Sequence, residues 1–341
     1  MSVHPLIRLV SAGLATVTAT ALLAGCGSDS DSGADSGSGK GPKSGATRVI
    51  TGDNGQITVP VDPKRVVATG YAVPVLIEAN APLVGISTWP RGLGLMTGPE
   101  RTSYDKLHKI GGATAKETNY EAIAAVKPDL IIIGVPKPVL GEMDLKRLAS
   151  IAPVVAIGPS LPSAWRELSA RQADAAGRAG HTEETRKAYQ KRADELKAKY
   201  ASSVGGLRFG HLGAYNENQQ GTFQREFAGS WGTNIAQDIG LDYYGQVKKK
   251  SGGSSDVSET PSIEELPASL GEADVITYTV QDDGTPSAGV QYVLESPLWK
   301  NLPAVKAGKA IPIRYTASAT YAQAQRTLDA VDQALAPLLA K

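Results

Sequence analysis

The segment NYEAIAAVKPDLIIIG at residues 119–134 constrains the fold most: a short helix, a Lys-Pro stop, then a β-branched run ending in glycine. An aliphatic run of this kind suits a strand buried on both faces, which calls for covering helices and parallel neighbours joined by crossovers. The same grammar recurs. RVVATG (65–70) leads into VPVLIEANA (73–81) and LVGIS (83–87), and DLKRLASIAPVVAIG (144–158) repeats the helix–turn–strand order. LRFGHLGAY (207–215), WGTNIAQDIGLD (231–242), SIEELPASLGEADVITYTV (262–280) and AIPI (310–313) resume it, and an amphipathic helix from 319 closes the chain. The expected class is α/β, with mainly parallel sheets flanked by helices.

Residues 161–200 carry no strand signal. They predict a helix, a break near Gly177 to Gly180, and a second helix capped by Thr182 with Glu183 and Glu184 in its first turn. NYEAIAAVKPDLIII and SIEELPASLGEADVITY echo one another across this bridge, each with an acid near the helix start and an aliphatic strand after the turn. Two similar lobes are expected, with a cleft where the carboxyl ends of their strands meet.

The start of the chain has a different character. Arg8, an apolar run to Leu23, and the small residues Ala24 and Gly25 precede Cys26, the single cysteine of the 341 residues. This is the pattern of an export signal, too short for a stable membrane span. Leu23-Ala24-Gly25-Cys26 matches the bacterial lipobox, and the match implies a lipidated Cys26 at the mature terminus. Residues 27–46 are almost wholly Gly, Ser, Asp, Ala and Lys, a flexible tether with a reach of roughly 25 Å. Without disulfides, the exported domain needs a sufficient core of its own. Removing residues 1–25 takes away one of 35 basic residues and none of 34 acidic ones, so the mature formal charge is 34 minus 34, or zero. No nucleic-acid partner is expected.

An enzyme would show a nucleophile with its base, or a metal-ligand cluster. His108, His181 and His211 lack ligand spacing, and there is no Gly-x-Ser-x-Gly elbow or Gly-x-x-x-x-Gly-Lys loop. RGLGLMTG (91–98) has glycines at the wrong spacing, with no helix expected behind it. Aromatics instead fall at strand ends and loops: Trp89, Tyr215, Trp231, Tyr243, Tyr244, Tyr278 and Tyr315, the last beside Arg314. Rings with a few cations suit a ligand that has apolar arms and polarised oxygens, although for any single ring core packing or a surface position is the commoner use.

The chain resembles the substrate-binding lipoproteins of iron–siderophore and cobalamin ABC importers. The motifs PKRVVATGYAVPVLIEANAPLVGIS, KIGGATAKETNYEAIAAVKPDLIII, LKRLASIAPVVAI and SPLWKNLPAVKAGKAIPI carry the resemblance in family order, over residues 60–341. It implies two Rossmann-like lobes joined by a rigid helix: a signal peptide at 1–25, lipidated Cys26 and tether at 26–47, an N-terminal lobe at 48–160, a linking helix at 161–181 and a C-terminal lobe at 182–341. It also implies a non-catalytic, cofactor-free monomer at the outer face of the cytoplasmic membrane, whose iron comes wrapped in a siderophore and needs no protein ligand. A hydroxamate such as ferrioxamine suits the balance of rings and cations better than a trianionic catecholate. The Ala-rich composition and the tether look actinobacterial.

The residues expected at the ligand are Trp89, Arg91, Tyr104, Lys116, Lys137, Tyr215, Trp231, Tyr243, Tyr244, Tyr278, Arg314 and Tyr315. The resemblance further implies docking on a permease through one acid per lobe, with Glu121 in the first. In the second lobe Asn234 stands where an acid is expected, leaving Glu226 or Asp238 as substitutes. Haem or cobalamin binding with an axial His108 or His211, an exported enzyme, and an adhesive lipoprotein are the alternatives.

Overall fold

The computed structural model describes residues 45–214 and 221–339. The signal segment, Cys26, the tether up to residue 44 and Tyr215 lie outside these described residues. The chain opens on an antiparallel hairpin, β1 (Thr47–Gly52) and β2 (Gly55–Pro60), which the helix-and-strand grammar did not predict.

The first lobe follows as β3 (Val66–Gly70), α1 (Ala72–Glu78), β4 (Leu83–Ser87), α2 (Gly98–Lys106), β5 (Lys109–Gly111), α3 (Tyr120–Ala125), β6 (Leu130–Gly134), α4 (Leu145–Ala149) and β7 (Val154–Ala156). Its five strands lie in the order β5-β4-β3-β6-β7, all parallel. The unbroken aliphatic run of β6 now has its reason. Leu130 and Ile132 face one core with α1, while Ile131 and Ile133 face another with Ile123 of α3 and Leu148 of α4. Both faces are dry, as a parallel sheet between helix layers requires. The hairpin turn closes the β7 edge, where Asn54 Nδ2 donates to the Val154 carbonyl at 2.9 Å and Asn54 Oδ1 accepts the Ala156 amide at 3.0 Å.

Helix α5 (Trp165–Ala175) runs from one core to the other: Leu168 and Ala173 belong to the first-lobe core, Trp165 to that of the second. It breaks at Gly177, whose φ of +69° favours a residue without a side chain, and α6 (Ala179–Val204) continues for 26 residues. The break lies where expected, but Thr182 is no cap. It sits inside α6, buried, with its hydroxyl donated to the Ala179 carbonyl at 2.9 Å.

The second lobe comprises β8 (Arg208–Gly213), β9 (Gln224–Glu226), α7 (Asn234–Asp238), β10 (Asp242–Tyr243), β11 (Ser258–Glu259), α8 (Leu266–Leu270), β12 (Val275–Thr279), α9 (Ala288–Glu295), α10 (Pro297–Lys300), α11 (Pro303–Lys306), β13 (Ala310–Ile313) and α12 (Tyr321–Leu335). Strands β8, β12 and β13 are parallel neighbours in the arrangement of β3, β6 and β7. The other edge departs from the first lobe. Antiparallel β9 and β11 extend it beside the carboxyl half of β8, and β10 pairs with the first two residues of β8. The protein is thus α/β, two helix-flanked and mainly parallel sheets joined through α5 and the long α6. One further expectation fails locally: α2 does follow RGLGLMTG, started by a capping box of Thr97 and Glu100.

Candidate functional site

The segments beyond the carboxyl ends of β3 and β4, and the turn before α7 of the second lobe, supply a set of rings and one cation that meet. Tyr71 follows β3 directly, and Trp89 stands two residues beyond β4. Their rings form an edge contact with centroids 4.8 Å apart. From the second lobe, Trp231 in the turn before α7 lies parallel to Tyr71, with centroids 6.0 Å apart and planes 8° from coplanar. Arg91, on the 3-10 turn Pro90–Leu95, donates from Nη1 to the Tyr71 hydroxyl at 2.7 Å and holds its guanidinium carbon 5.7 Å from the Trp231 ring centroid. Burial raises the Tyr71 hydroxyl above the usual phenol range, opposed by the Arg91 charge and hydrogen bond, so the phenol stays neutral.

Beside this cluster a pocket of about 160 Å³ opens between the lobes, lined by Arg91 and Leu95 from the first and by Thr279, Gln281, Tyr315 and Thr316 from the second. Tyr315 holds a left-handed backbone, φ +62°, with the Arg326 guanidinium carbon 4.8 Å from its ring centroid and that of Arg314 at 5.8 Å. Arg326 of α12 also donates Nη1 to the carbonyls of Gly94 and Met96, each at 2.9 Å. A second tie runs from the Ala322 amide to Glu78 Oε2 at 3.3 Å. The turn that carries Arg91 is therefore fixed to the opposite lobe.

Other expected ligand residues lie elsewhere. Tyr104 is buried in the first-lobe core, where its hydroxyl accepts the Trp89 amide at 2.9 Å, so it positions Trp89 and offers nothing to the cleft. Tyr243 is core as well, its hydroxyl 3.0 Å from Thr277 Oγ1. Tyr244 lies at the amino end of β8, donating its backbone amide to the Phe209 carbonyl and its hydroxyl to the Ser269 carbonyl at 2.8 Å. Tyr278 packs edge-on against Trp299 of α10, 6.0 Å away, under the helix layer. Tyr243 ends the two-residue β10, Tyr244 follows it, and Tyr278 is the last residue but one of β12, places that the sequence does not divide between cleft and core. Lys116 and Lys137 are exposed on the 3-10 turns Ala115–Glu117 and Lys137–Glu142, and neither lines the pocket. Tyr71 was missed, although its place directly after the glycine that ends a buried strand is the signal that could have found it.

The expected docking acids divide. Glu121 is exposed in the first turn of α3. Glu226 is fully buried, so it cannot meet a partner surface. Asp238 is held by Arg166 and by the Tyr189 hydroxyl. Asn234 is buried, its Oδ1 accepting Trp165 Nε1 at 2.9 Å and Arg166 Nη1 at 3.0 Å. The repeat between lobes points to another residue. Asn119 caps α3 with Glu121 two positions on, and Ser262 caps the turn Ile263–Glu265 with exposed Glu264 two positions on. Each helix precedes the strand that pairs with its lobe's first parallel strand, β6 with β3 and β12 with β8.

Neither histidine of the haem or cobalamin alternative reaches the pocket. His108 is exposed in the turn before β5, and His211 is fully buried between two threonine hydroxyls. Among the described residues no group of three His, Cys, Asp or Glu could hold a metal ion, and no helix is long and apolar enough to cross a membrane.

The periplasmic binding protein family model matches residues 67–315. The iron(3+)-hydroxamate-binding protein FhuD of Bacillus subtilis is 27% identical over 293 residues, covering 84% of this chain and 84% of that protein. The siderophore periplasmic binding protein from the fuscachelin gene cluster of Thermobifida fusca is 28% identical with a TM-score of 0.66, over 82% of this chain and 98% of that one. The Fe3+–Desferal-bound FhuD of Vibrio cholerae shares the fold at 21% identity, with a TM-score of 0.62 over 81% of this chain and 98% of that one.

Proposed function

The chain belongs to the periplasmic binding protein family, a binding protein and not an enzyme, and from that premise we propose that it captures a ferric hydroxamate siderophore and hands it to an ABC importer. The observation that carries this reading is the Tyr71–Trp231 stack across the cleft with Arg91 on its edge. Flat rings take up the apolar arms of such a complex, and a guanidinium donates to its oxygens without disturbing the iron. The names of the Bacillus subtilis and Thermobifida fusca relatives support the siderophore class. Ferrioxamine is the preferred candidate, with Trp89, Arg91, Trp231, Arg314, Tyr315 and Tyr71 as contacts.

Cys26 carries the lipid and the Gly/Ser/Asp tract is the leash, which keeps the domain at the outer face of the cytoplasmic membrane of an actinobacterium. The lobes divide at 48–160 and 182–341 about the linking segment 161–181, and the protein acts as a monomer. Glu121 and Glu264, at equivalent positions of the two lobes, are the acids that meet the permease. Titration of the soluble domain with ferric ferrioxamine tests the reading: tryptophan emission is quenched with a saturable curve at micromolar affinity or better. An emission unmoved by every ferric siderophore tried contradicts it.

A further inference from the structure

Beneath Trp231 lies a closed polar cluster that the ligand contacts do not use. Glu226 and His211 are fully buried and face each other in register on β9 and β8, with Nε2 and Oε2 3.9 Å apart. Glu226 Oε2 accepts the Gly232 amide at 2.6 Å. Gly232 in turn lies flat on the imidazole, so close that a Cβ there would stand 1.9 Å from Nε2. The imidazole is fixed between Thr277 Oγ1 at 2.7 Å and Thr279 Oγ1 at 3.0 Å, and the Thr279 hydroxyl donates to Thr316 at 3.4 Å. Thr279 and Thr316 line the pocket. The other carboxyl oxygen abuts Gly213, next to pocket-lining Ala214. One buried pair therefore supports three separate pieces of the cleft wall.

Every neighbouring element contributes to the charge around Glu226. β8 presents His211, β9 its own Arg225, β10 Tyr243, and β11 Glu259 through Arg225. β12 offers only the hydroxyls of Thr277 and Thr279, and the 227–233 turn only the Ser230 hydroxyl and the Gly232 amide. The Arg225 guanidinium is already committed to the carbonyls of His211, Glu226 and Tyr244. A neutral carboxyl suits this enclosure. Among the described residues a carboxylate there finds the Gly232 amide as its one hydrogen-bond donor, while Oε1 and the nearby Ser230 hydroxyl make no bond. That is too little for a buried charge, so ionisation draws the Gly232 backbone or water inward.

We propose that Glu226 is a positioning residue whose protonation state sets the Trp231 wall of the cleft, so that the ligand is held more tightly when Glu226 is protonated than when it is ionised. Burial raises the carboxyl to about 7, while burial and the Arg225 charge hold His211 down to about 3. Between pH 5.5 and 8.5 the carboxyl titrates and the imidazole stays neutral. The link to ligand rests on the siderophore reading; the link to Trp231 does not.

The experiment has two arms. In the ligand-free protein, tryptophan emission is followed from pH 5.5 to 8.5 for wild type, E226Q and W231F, with the side-chain carboxyl 13C signal of wild type read alongside. The expected result is one transition near pH 7 in both wild-type signals, with the emission change absent from E226Q and from W231F. A flat wild-type emission, or a transition that survives in E226Q, overturns the proposal, and the 13C signal decides it without a substitution. In the second arm, affinity for ferric ferrioxamine weakens about tenfold from pH 6 to pH 8.5 in wild type, and E226Q removes that difference. Equal pH dependence in both proteins overturns the proposal and leaves the siderophore reading standing. Absence of binding at any pH contradicts the siderophore reading, and the first arm still judges the role of Glu226.

Discussion

The ring of Tyr71 lies parallel to that of Trp231, 8° from coplanar at 6.0 Å, although the two residues come from opposite lobes. The stack forms where β3 of one sheet and the Trp231 turn of the other approach each other, and Arg91 bonds one ring while lying over the other. Tyr71→Ala removes a stacking surface and one hydrogen-bond partner of Arg91 together. Affinity for ferric ferrioxamine is expected to fall about fivefold or more by fluorescence titration, since one buried aromatic contact is worth roughly 1 kcal/mol or more. Tyr71→Phe keeps the ring and loses only the hydroxyl, so a smaller loss is expected.

Gly232 has room for hydrogen only. A methyl group there meets an imidazole that two threonine hydroxyls hold in place. Gly232→Ala is expected to destabilise the protein by about 1–3 kcal/mol in urea unfolding, the usual cost of overpacking, and to weaken ligand binding by displacing Trp231.

Glu226 contributes to stability with a definite sign. Its folded value of about 7 stands above the ordinary 4.5. Its contribution is therefore fully present below pH 4.5 and is lost as pH rises through 7. Wild type should lose of order 3 kcal/mol relative to E226Q between pH 4.5 and 8, seen in urea midpoints of both proteins. His211, lowered to about 3, acts in the opposite direction as pH falls below 6.5, but it is present in both proteins and cancels from the difference.

Glu121 and Glu264 stand at matching places in the two lobes, both exposed and neither among the residues that line the pocket. Replacing both by alanine should leave ferrioxamine affinity unchanged within about twofold and abolish most iron uptake in cells that depend on this protein. Loss of affinity in the purified double variant would place these acids in the ligand site instead.

The fold was largely legible because parallel strands buried on both faces leave continuous aliphatic runs, as at Ile131 to Ile133, and because the bridge of α5 and α6 lacks any such run. The β1–β2 hairpin was not, since its half-exposed strands leave only a weak alternation. Of the residues expected at the ligand, Trp89, Arg91 and Trp231 lie together around Tyr71, each in a turn beyond an apolar segment. Tyr104 and Tyr243 occupy similar places, and local sequence does not say which way a ring turns from a strand end. Glu226 shows the same limit: an acid in a polar stretch reads as surface, and only the pairing of β9 with β8 closes it in.

The most direct test of the account is native mass spectrometry of the soluble domain against ferric ferrioxamine, a ferric catecholate, haem and cobalamin. The expected result is a one-to-one complex with ferric ferrioxamine that survives gentle desolvation, is depleted in Tyr71→Ala, and is recovered with the ligand chemically unchanged. Selective retention of haem or cobalamin, with the ferric siderophores passing unbound, would contradict it.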